Sequence, residues 1–202
     1  MISMSSYFTV FVTLSTLCLS SIASAQQYYT VHLDVLGYSK KQQRVYILES
    51  PIHSQSKQKV YYYDLKKPEY DFAHYENSTM QAQTPTEFEQ RLHNLKKDLQ
   101  PLIPIDQKYL NLHVLQQNTT YRADHLKPFS ISYSTQFEIT ADQFQSHPQN
   151  LVHYSPDIQL KQAYVLPKQK GILVTFNALA YPFDEGFHRE KSVILLPYAK
   201  NK

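Results

Sequence analysis

Cysteine, glycine and tryptophan are scarce or missing in this chain of 202 residues. The single cysteine is Cys18, tryptophan does not occur, and glycine occurs only at Gly37, Gly171 and Gly186. So little glycine excludes collagen-like and glycine-rich fibrous proteins. It also leaves no G-x-G-x-x-G or phosphate-binding loop, so we expect no nucleotide cofactor. No serine lies in a G-x-S-x-G sequence, which excludes the hydrolases that this motif identifies.

A concentration of charge of one sign is also missing. The formal net charge is +3, from 20 Lys and Arg against 17 Asp and Glu. The lysine doublets, such as Lys40-Lys41, are isolated from one another, whereas a nucleic-acid-binding protein gathers basic residues onto one face. We therefore expect no nucleic-acid partner. The chain instead has 17 Tyr and 10 Phe, which indicates a folded domain rather than a disordered one.

Residues 1–25 contain no charged side chain and end in Ala23-Ser24-Ala25. An apolar and hydroxylic stretch followed by A-x-A is typical of a secretory signal peptide, although the usual Lys or Arg at its start is missing. The stretch is shorter than the roughly 20 residues that a membrane-spanning helix needs, so a retained anchor is the less favoured alternative. We predict a signal peptide over 1–25 and a single domain over 26–202, with no stable membrane span after cleavage.

Cleavage after Ala25 would remove Cys18 and leave a mature protein without cysteine. Such a protein has no disulfide, no thiol nucleophile and no thiolate metal site. Export without disulfides fits a Gram-negative periplasm better than a eukaryotic secretory route. The expected location is the periplasm, with secretion or association with the outer membrane as alternatives.

Alternating apolar and polar residues predict most of the chain to be β-strand. In the stretch from Tyr29 to Val35 the apolar side chains fall on one side, and Gly37 is expected to end this strand. A turn of helix is expected over Gln143–Ser146. Further strands are predicted at 44–49, 59–65, 109–114, 131–139, 160–166, 172–179 and 192–196.

One strong helix is predicted in the middle of the chain. Thr84 is placed as its N-cap, Pro85 as its first residue and Glu87 as its third, the pattern of a capping box. A single apolar stripe then follows at helical spacing: Phe88, Leu92, Leu95 and Leu99. Such a helix must bury its stripe against a sheet. The predicted fold is α+β, a mainly antiparallel sheet of about seven or eight strands packed with one amphipathic helix over about 85–99.

The histidines do not have the spacing of a metal site, since neither H-x-H nor H-E-x-x-H occurs. His32 and Asp34 share the polar side of the first strand, so they are the catalytic candidates of a hydrolase in which His32 is a general base oriented by Asp34. An exposed strand face explains the same two residues. His188 and Glu190 form another acidic and imidazole cluster, expected in a loop between two strands.

The segment from 61 to 75 is unusually rich in aromatic residues. Tyrosine offers an apolar ring and a hydroxyl, which suits contact with sugars, peptides and protein surfaces. The alternative is that every second tyrosine fills the core and the others cover a sheet edge. The ligand-binding residues predicted from this segment are Tyr61, Tyr63, Tyr70 and Tyr75.

Three segments resemble the CsiV family of periplasmic peptidoglycan-binding proteins. They are 29–36 (YTVHLDVL), the predicted helix with the following 109–117 (YLNLHVLQQ), and 192–198 (SVILLPY). The chain lacks the tryptophan that is usual in the central strand of that family. The resemblance implies an envelope-binding role, and no functional residue is carried over from it.

These observations predict an exported, non-enzymatic protein that binds a cell-envelope component, either peptidoglycan or a protein partner. Binding is expected at a sheet edge or at the tyrosine-rich segment. Two alternatives remain, a periplasmic hydrolase with a His/Asp general base and a secreted or surface-assembly accessory protein. No cofactor and no metal are expected.

Overall fold

The computed structural model describes residues 30–52, 57–67, 74–75, 84–124, 127–180 and 187–198. In this part of the chain there is one α-helix, α1 (Pro85–Lys97), together with two short 3-10 turns at Gln107–Tyr109 and Pro167–Gln169. The strands are β1 (Thr30–Ser39), β2 (Arg44–Ile52), β3 (Lys59–Asp64), β4 (His74–Tyr75), β5 (Ile103–Pro104), β6 (Asn111–Asp124), β7 (Lys127–Ala141), β8 (Phe144–Gln145), β9 (Gln149–His153), β10 (Ile158–Val165), β11 (Ile172–Leu179) and β12 (His188–Pro197).

The strands form one curled, mixed sheet of twelve strands. Its main path runs β4-β3-β2-β1-β12-β11-β10-β5, and β8 joins β12 to β7, which pairs with β6 and β9. All of these neighbours are antiparallel except β1 and β12, which are parallel. The α+β prediction is therefore correct in outline. The sheet is larger than predicted, because strands as short as β4, β5 and β8 contain too few residues for a periodic signal.

Helix α1 begins as the sequence predicts. The Thr84 side chain accepts a hydrogen bond from the Glu87 amide at 3.2 Å, and Arg91 donates to the Glu87 carboxylate one turn later. The helix ends at Lys97, slightly earlier than predicted. Leu92 is buried, and its stripe packs on one face of β2 and β3 through Tyr46, Leu48, Val60 and Tyr62.

Within the described residues, no helix combines the length and the apolar composition that a bilayer crossing requires.

The other face of β2 and β3 packs inside the curl of the sheet. Val45 and Ile47 of β2 meet Leu173 of β11 and Ile194 of β12 in one buried cluster. The curl brings β3 to β12 although two strands separate them in the sheet, so that the Tyr63 hydroxyl donates to the Ser192 carbonyl at 3.0 Å. Strand β2 is therefore buried on both faces, under α1 and inside the curl.

A second layer covers the outer face of β10–β12. Phe137 and Ile139 of β7 are buried against Val174 and Phe176 of β11, and the two phenylalanine rings meet edge to face with centroids 5.3 Å apart. Edge-to-face contact is a preferred arrangement of aromatic rings. The β6–β7 hairpin therefore packs on the rest of the protein through β7, and β6 is the outer strand of this layer.

Two local predictions are wrong. Gly37 does not end the first strand, because β1 continues to Ser39 through a bulge at Gly37, whose φ is +134°. A Cβ at Gly37 would lie 2.6 Å from the Gln100 carbonyl oxygen, so only glycine fits this close approach. The helical turn predicted at Gln143–Ser146 contains instead the strand β8, because its backbone pairs with β7 and β12.

Candidate functional site

A groove of about 670 Å³ is lined by residues of β1–β3, of β12 and of the segment His147–Asn150, which contains the start of β9. We call β1–β3 and β12 its walls and His147–Asn150 its rim. The side chains on the first wall share one face, because Leu33 is paired with Glu49 and Ile47 with Tyr61. The groove is lined by Leu33, Ile47, Glu49, Tyr61, Tyr63, His147, Pro148, Gln149, Asn150, Glu190, Lys191 and Ser192.

The lining combines an apolar wall with many different polar groups. Leu33 and Ile47 provide apolar surface, and the lining also contains carboxylates, hydroxyls, side-chain amides, the imidazole of His147 and the lysine Lys191. Small-molecule sites are mostly apolar with a few polar groups, so this more polar lining suits a polar ligand. Glu49 and Glu190 accept hydrogen bonds, Lys191 donates them, and the side-chain amides of Gln149 and Asn150 do both.

Glu190 is the most enclosed acid of this groove, with 9% of its surface exposed. Its carboxylate accepts a hydrogen bond from the Leu33 amide at 2.8 Å. Strands β1 and β12 are paired only at Val31 and Arg189. Where this pairing stops, the Glu190 carboxylate takes the place of the carbonyl oxygen that a paired strand would supply. It thereby satisfies the buried Leu33 amide.

His32 lies between two carboxylates. Its Nδ1 is 3.0 Å from Glu190 Oε2 and its Nε2 is 3.2 Å from Asp34 Oδ1. Both contacts can be hydrogen bonds donated by the ring only when the imidazole is protonated, since neutral imidazole has one N–H. The structure thus places the predicted pair His32 and Asp34 in contact and adds Glu190.

This arrangement does not favour the role of general base that the sequence suggested for His32. A base must present a free ring nitrogen to the substrate, and here both nitrogens face carboxylates. The His32 and Asp34 side chains are 40% and 51% exposed and lie beside the groove rather than in its lining. Their catalytic role stays a prediction without geometric support.

The acids around His32 also do not form a metal site. They lie at opposite nitrogens of one ring, so their oxygens do not converge on a common point. Among the residues that the structure describes, no group of three or more His, Cys, Asp or Glu side chains could hold a metal ion.

Two of the four predicted ligand-binding tyrosines line the groove. Tyr61 is partly buried at its wall, and the ring of Tyr63 is buried in the core with only its hydroxyl near the β12 wall. Burial raises the pKa of Tyr63 to about 12, against the opposing effect of its hydrogen bond with Ser192. Tyr70 lies outside the described residues, and for Tyr75 only the backbone is described, paired with Tyr61.

Lys191 is the cation of the groove. Burial lowers its pKa from the usual value, and the positive charge of Arg189 lowers it further. The Lys191 side chain is nevertheless exposed to solvent. Because adjacent residues of a strand lie on opposite faces, Lys191 does not share the face of the buried Glu190.

Sequence reasoning missed most of this groove. His188 and Glu190 were expected in a loop, but both belong to β12, and the His188 ring lies 3.2 Å from the Asn177 side chain across the strand pair. Glu49 had nothing in its sequence surroundings to distinguish it from other acids at strand edges. No signal in the sequence indicated that the rim at His147–Asn150 would approach β1–β3.

Comparison with known proteins adds no relative. No protein-family profile, no curated protein and no solved structure matches the chain.

Proposed function

We propose that this protein is an exported, non-enzymatic binding protein of the bacterial cell envelope, and that its groove binds a segment of peptidoglycan. The observation that carries the proposal is the composition of the groove. Tyrosine, acids, amides and a lysine line one open space of about 670 Å³. This size is within the ordinary range of ligand sites, roughly 300–1,000 Å³.

Peptidoglycan offers complementary groups for each part of this lining. Sugar hydroxyls and acetamido groups donate to carboxylates such as Glu49 and exchange hydrogen bonds with the amides of Gln149 and Asn150. The ring of Tyr61 offers an apolar surface for the less polar face of a sugar. Lys191, another lining residue, carries an ammonium that can pair with a carboxylate of the stem peptide.

The position of His32 supports binding rather than general-base catalysis by this residue, because it lies beside the groove with both ring nitrogens next to carboxylates. A second imidazole, that of His147, belongs to the lining. A polymer ligand also needs a site through which its chain can continue at both ends. The groove lies at the surface, between the strand wall and the rim at His147–Asn150.

Binding is tested by co-sedimentation with purified peptidoglycan sacculi. The wild-type protein should sediment with them, and Glu49→Gln and Tyr61→Ala should weaken retention several-fold. Matched controls make the same changes at exposed positions far from the groove, Glu89→Gln on α1 and Tyr109→Ala before β6. The controls should behave as wild type. Wild-type protein that stays in solution, or groove variants that sediment as well as their controls, would contradict the proposal.

The location is tested separately by fractionation and intact-mass analysis. The predicted signal peptide supports a periplasmic protein that begins at Gln26. Recovery from the culture medium or with the outer membrane would support the alternative of a secreted or surface-assembly accessory protein. Protein that keeps Met1 and stays in the cytosol would contradict both.

A further inference from the structure

Strand β6 is a long edge of the sheet. It runs from Asn111 to Asp124 and pairs on one side with β7, and no other described strand pairs with its second side. An antiparallel strand with one neighbour leaves about half of its N–H and C=O groups without strand partners. Such an edge is a template on which another strand can pair.

This edge lacks most of the usual protection against pairing. From Asn111 to Tyr121 it contains no charged residue, no proline and no glycine, and its one interruption is a bulge between Val114 and Gln116. Natural edge strands are usually shortened, charged or interrupted by proline. Other edges in the described part of the chain are short or charged. Strands β4 and β5 have two residues each, β9 has five, and β10, which pairs with β5 only at its last two residues, contains Lys161.

Exposed apolar side chains lie along the same strand. Tyr121 is 75% exposed, and Val114 and Leu115 are each about half exposed. Leu115 and Tyr121 lie at equal distances from Asn118, one on each side of it along the chain. In an antiparallel pairing of two identical strands centred on Asn118, Leu115 of each copy would lie opposite Tyr121 of the other.

We propose that two copies of this chain dimerise by antiparallel pairing of their β6 edges around Asn118. A twofold axis makes such an interface self-complementary, because each contact occurs twice. The paired centre consists of amide and hydroxyl side chains, which hydrogen-bond across strands, and no like charges meet there. From Asn111 to Tyr121 the strand offers no charge with which to select a foreign partner, whereas the register of Leu115 on Tyr121 matches the strand to a second copy of itself.

Cross-linking tests the register. In a Cys18→Ser background the introduced cysteine is the only thiol of the chain. Protein expressed from the full-length sequence with Asn118→Cys should form a disulfide-linked dimer under mild oxidation, because paired strands bring the two positions within bonding reach. The matched control is Asn94→Cys on the exposed side of α1, which should remain monomeric. Equal cross-linking of the two variants, or none at position 118, overturns the proposed register.

Sedimentation equilibrium tests the dimer itself. Wild-type protein should reach twice the monomer mass as its concentration rises. Asn118→Lys should weaken association at least tenfold, because position 118 of each copy lies opposite position 118 of the other and the two charges then repel. Asn94→Lys on α1 is the matched control and should dimerise normally. Circular dichroism checks that both variants fold. A wild-type protein that stays monomeric at every concentration overturns the proposal, also if it binds a foreign peptide on β6, and so does an Asn118→Lys variant that dimerises as wild type.

Discussion

At the residue scale, the side chain of Glu190 connects β12 to β1 at the groove. Its carboxylate satisfies the Leu33 amide and faces the His32 ring. We predict that Glu190→Ala lowers the free energy of unfolding by about 1–3 kcal/mol, because the Leu33 donor is left buried and unpaired. Glu190→Gln keeps an acceptor oxygen and should cost less. Urea unfolding measures both variants. Equal losses of stability would contradict the role of the Glu190 carboxylate as the acceptor of the Leu33 amide.

His153 gives a second prediction at this scale, on pH. Its side chain is fully buried in β9, and its Nε2 lies 2.8 Å from Thr135 Oγ1, which accepts a hydrogen bond from Gln117. Burial lowers the pKa of His153 below the ordinary 6.5, although the Ser155 backbone and the Asp157 charge act in the opposite direction. The unfolded chain therefore binds the proton more readily than the folded protein does.

Acidification should accordingly destabilise the protein. The contribution of His153 to stability is fully present above pH 6.5 and is lost as the pH falls through 6.5 towards the lower pKa of the folded state. Urea unfolding across this range should show the decrease, and His153→Gln should make it shallower. The exposed His93→Gln on α1 serves as control and should leave the slope unchanged. A free energy of unfolding of the wild type that stays constant or rises as the pH falls below 6.5 would contradict the prediction.

At the scale of elements, the bulge at Gly37 allows β1 to approach the segment that follows α1. Gly37 has a φ of +134°, and Tyr38 and Gln100 exchange backbone hydrogen bonds of 2.8 and 2.9 Å beside it. Gly37→Ala should lower the free energy of unfolding by about 1–3 kcal/mol, because it adds strain and a contact with the Gln100 carbonyl. Thr86→Ala on the exposed face of α1 should change it by less than about 0.5 kcal/mol. Thermal unfolding compares the two, and equal stability would contradict this account of the bulge.

The elements that could be predicted from sequence are those that carry their own signal. Thr84 and Pro85 marked the start of α1, and alternation marked long strands such as β1 and β7. The two-residue strands and the parallel contact of β1 with β12 carry no such pattern. They depend on which distant segments meet, and local preferences do not encode that choice.

At the scale of the whole molecule, the groove could not be predicted because its walls are far apart in sequence. Glu190 is 157 positions from Leu33, and Ser192 is 129 positions from Tyr63. Only His32 and Asp34, neighbours on one strand, could be paired from sequence. Tyr61 and Tyr63 of the tyrosine-rich segment line the groove, and their role in binding stays a prediction. Burial of the Tyr63 ring follows from the curl of the sheet, which the sequence did not indicate.

The two proposals also fit together at this scale. The groove lies between β1–β3, β12 and the rim, whereas β6 is the outer edge of the second layer. No residue of β6 lines the groove. Dimerisation through β6 would therefore leave both grooves of the dimer accessible, and two grooves on one polymer would raise the apparent affinity. Sacculus binding should then decrease in the Asn118→Lys variant even though its groove is intact.

The most direct test of the account is amide hydrogen exchange with and without soluble peptidoglycan fragments at saturating concentration. The account predicts slower exchange in the ligand complex at β3 and at residues 147–150, with α1 unchanged. Protection confined to other parts of the chain, or no protection at any fragment concentration, would contradict the assignment of the groove as the binding site.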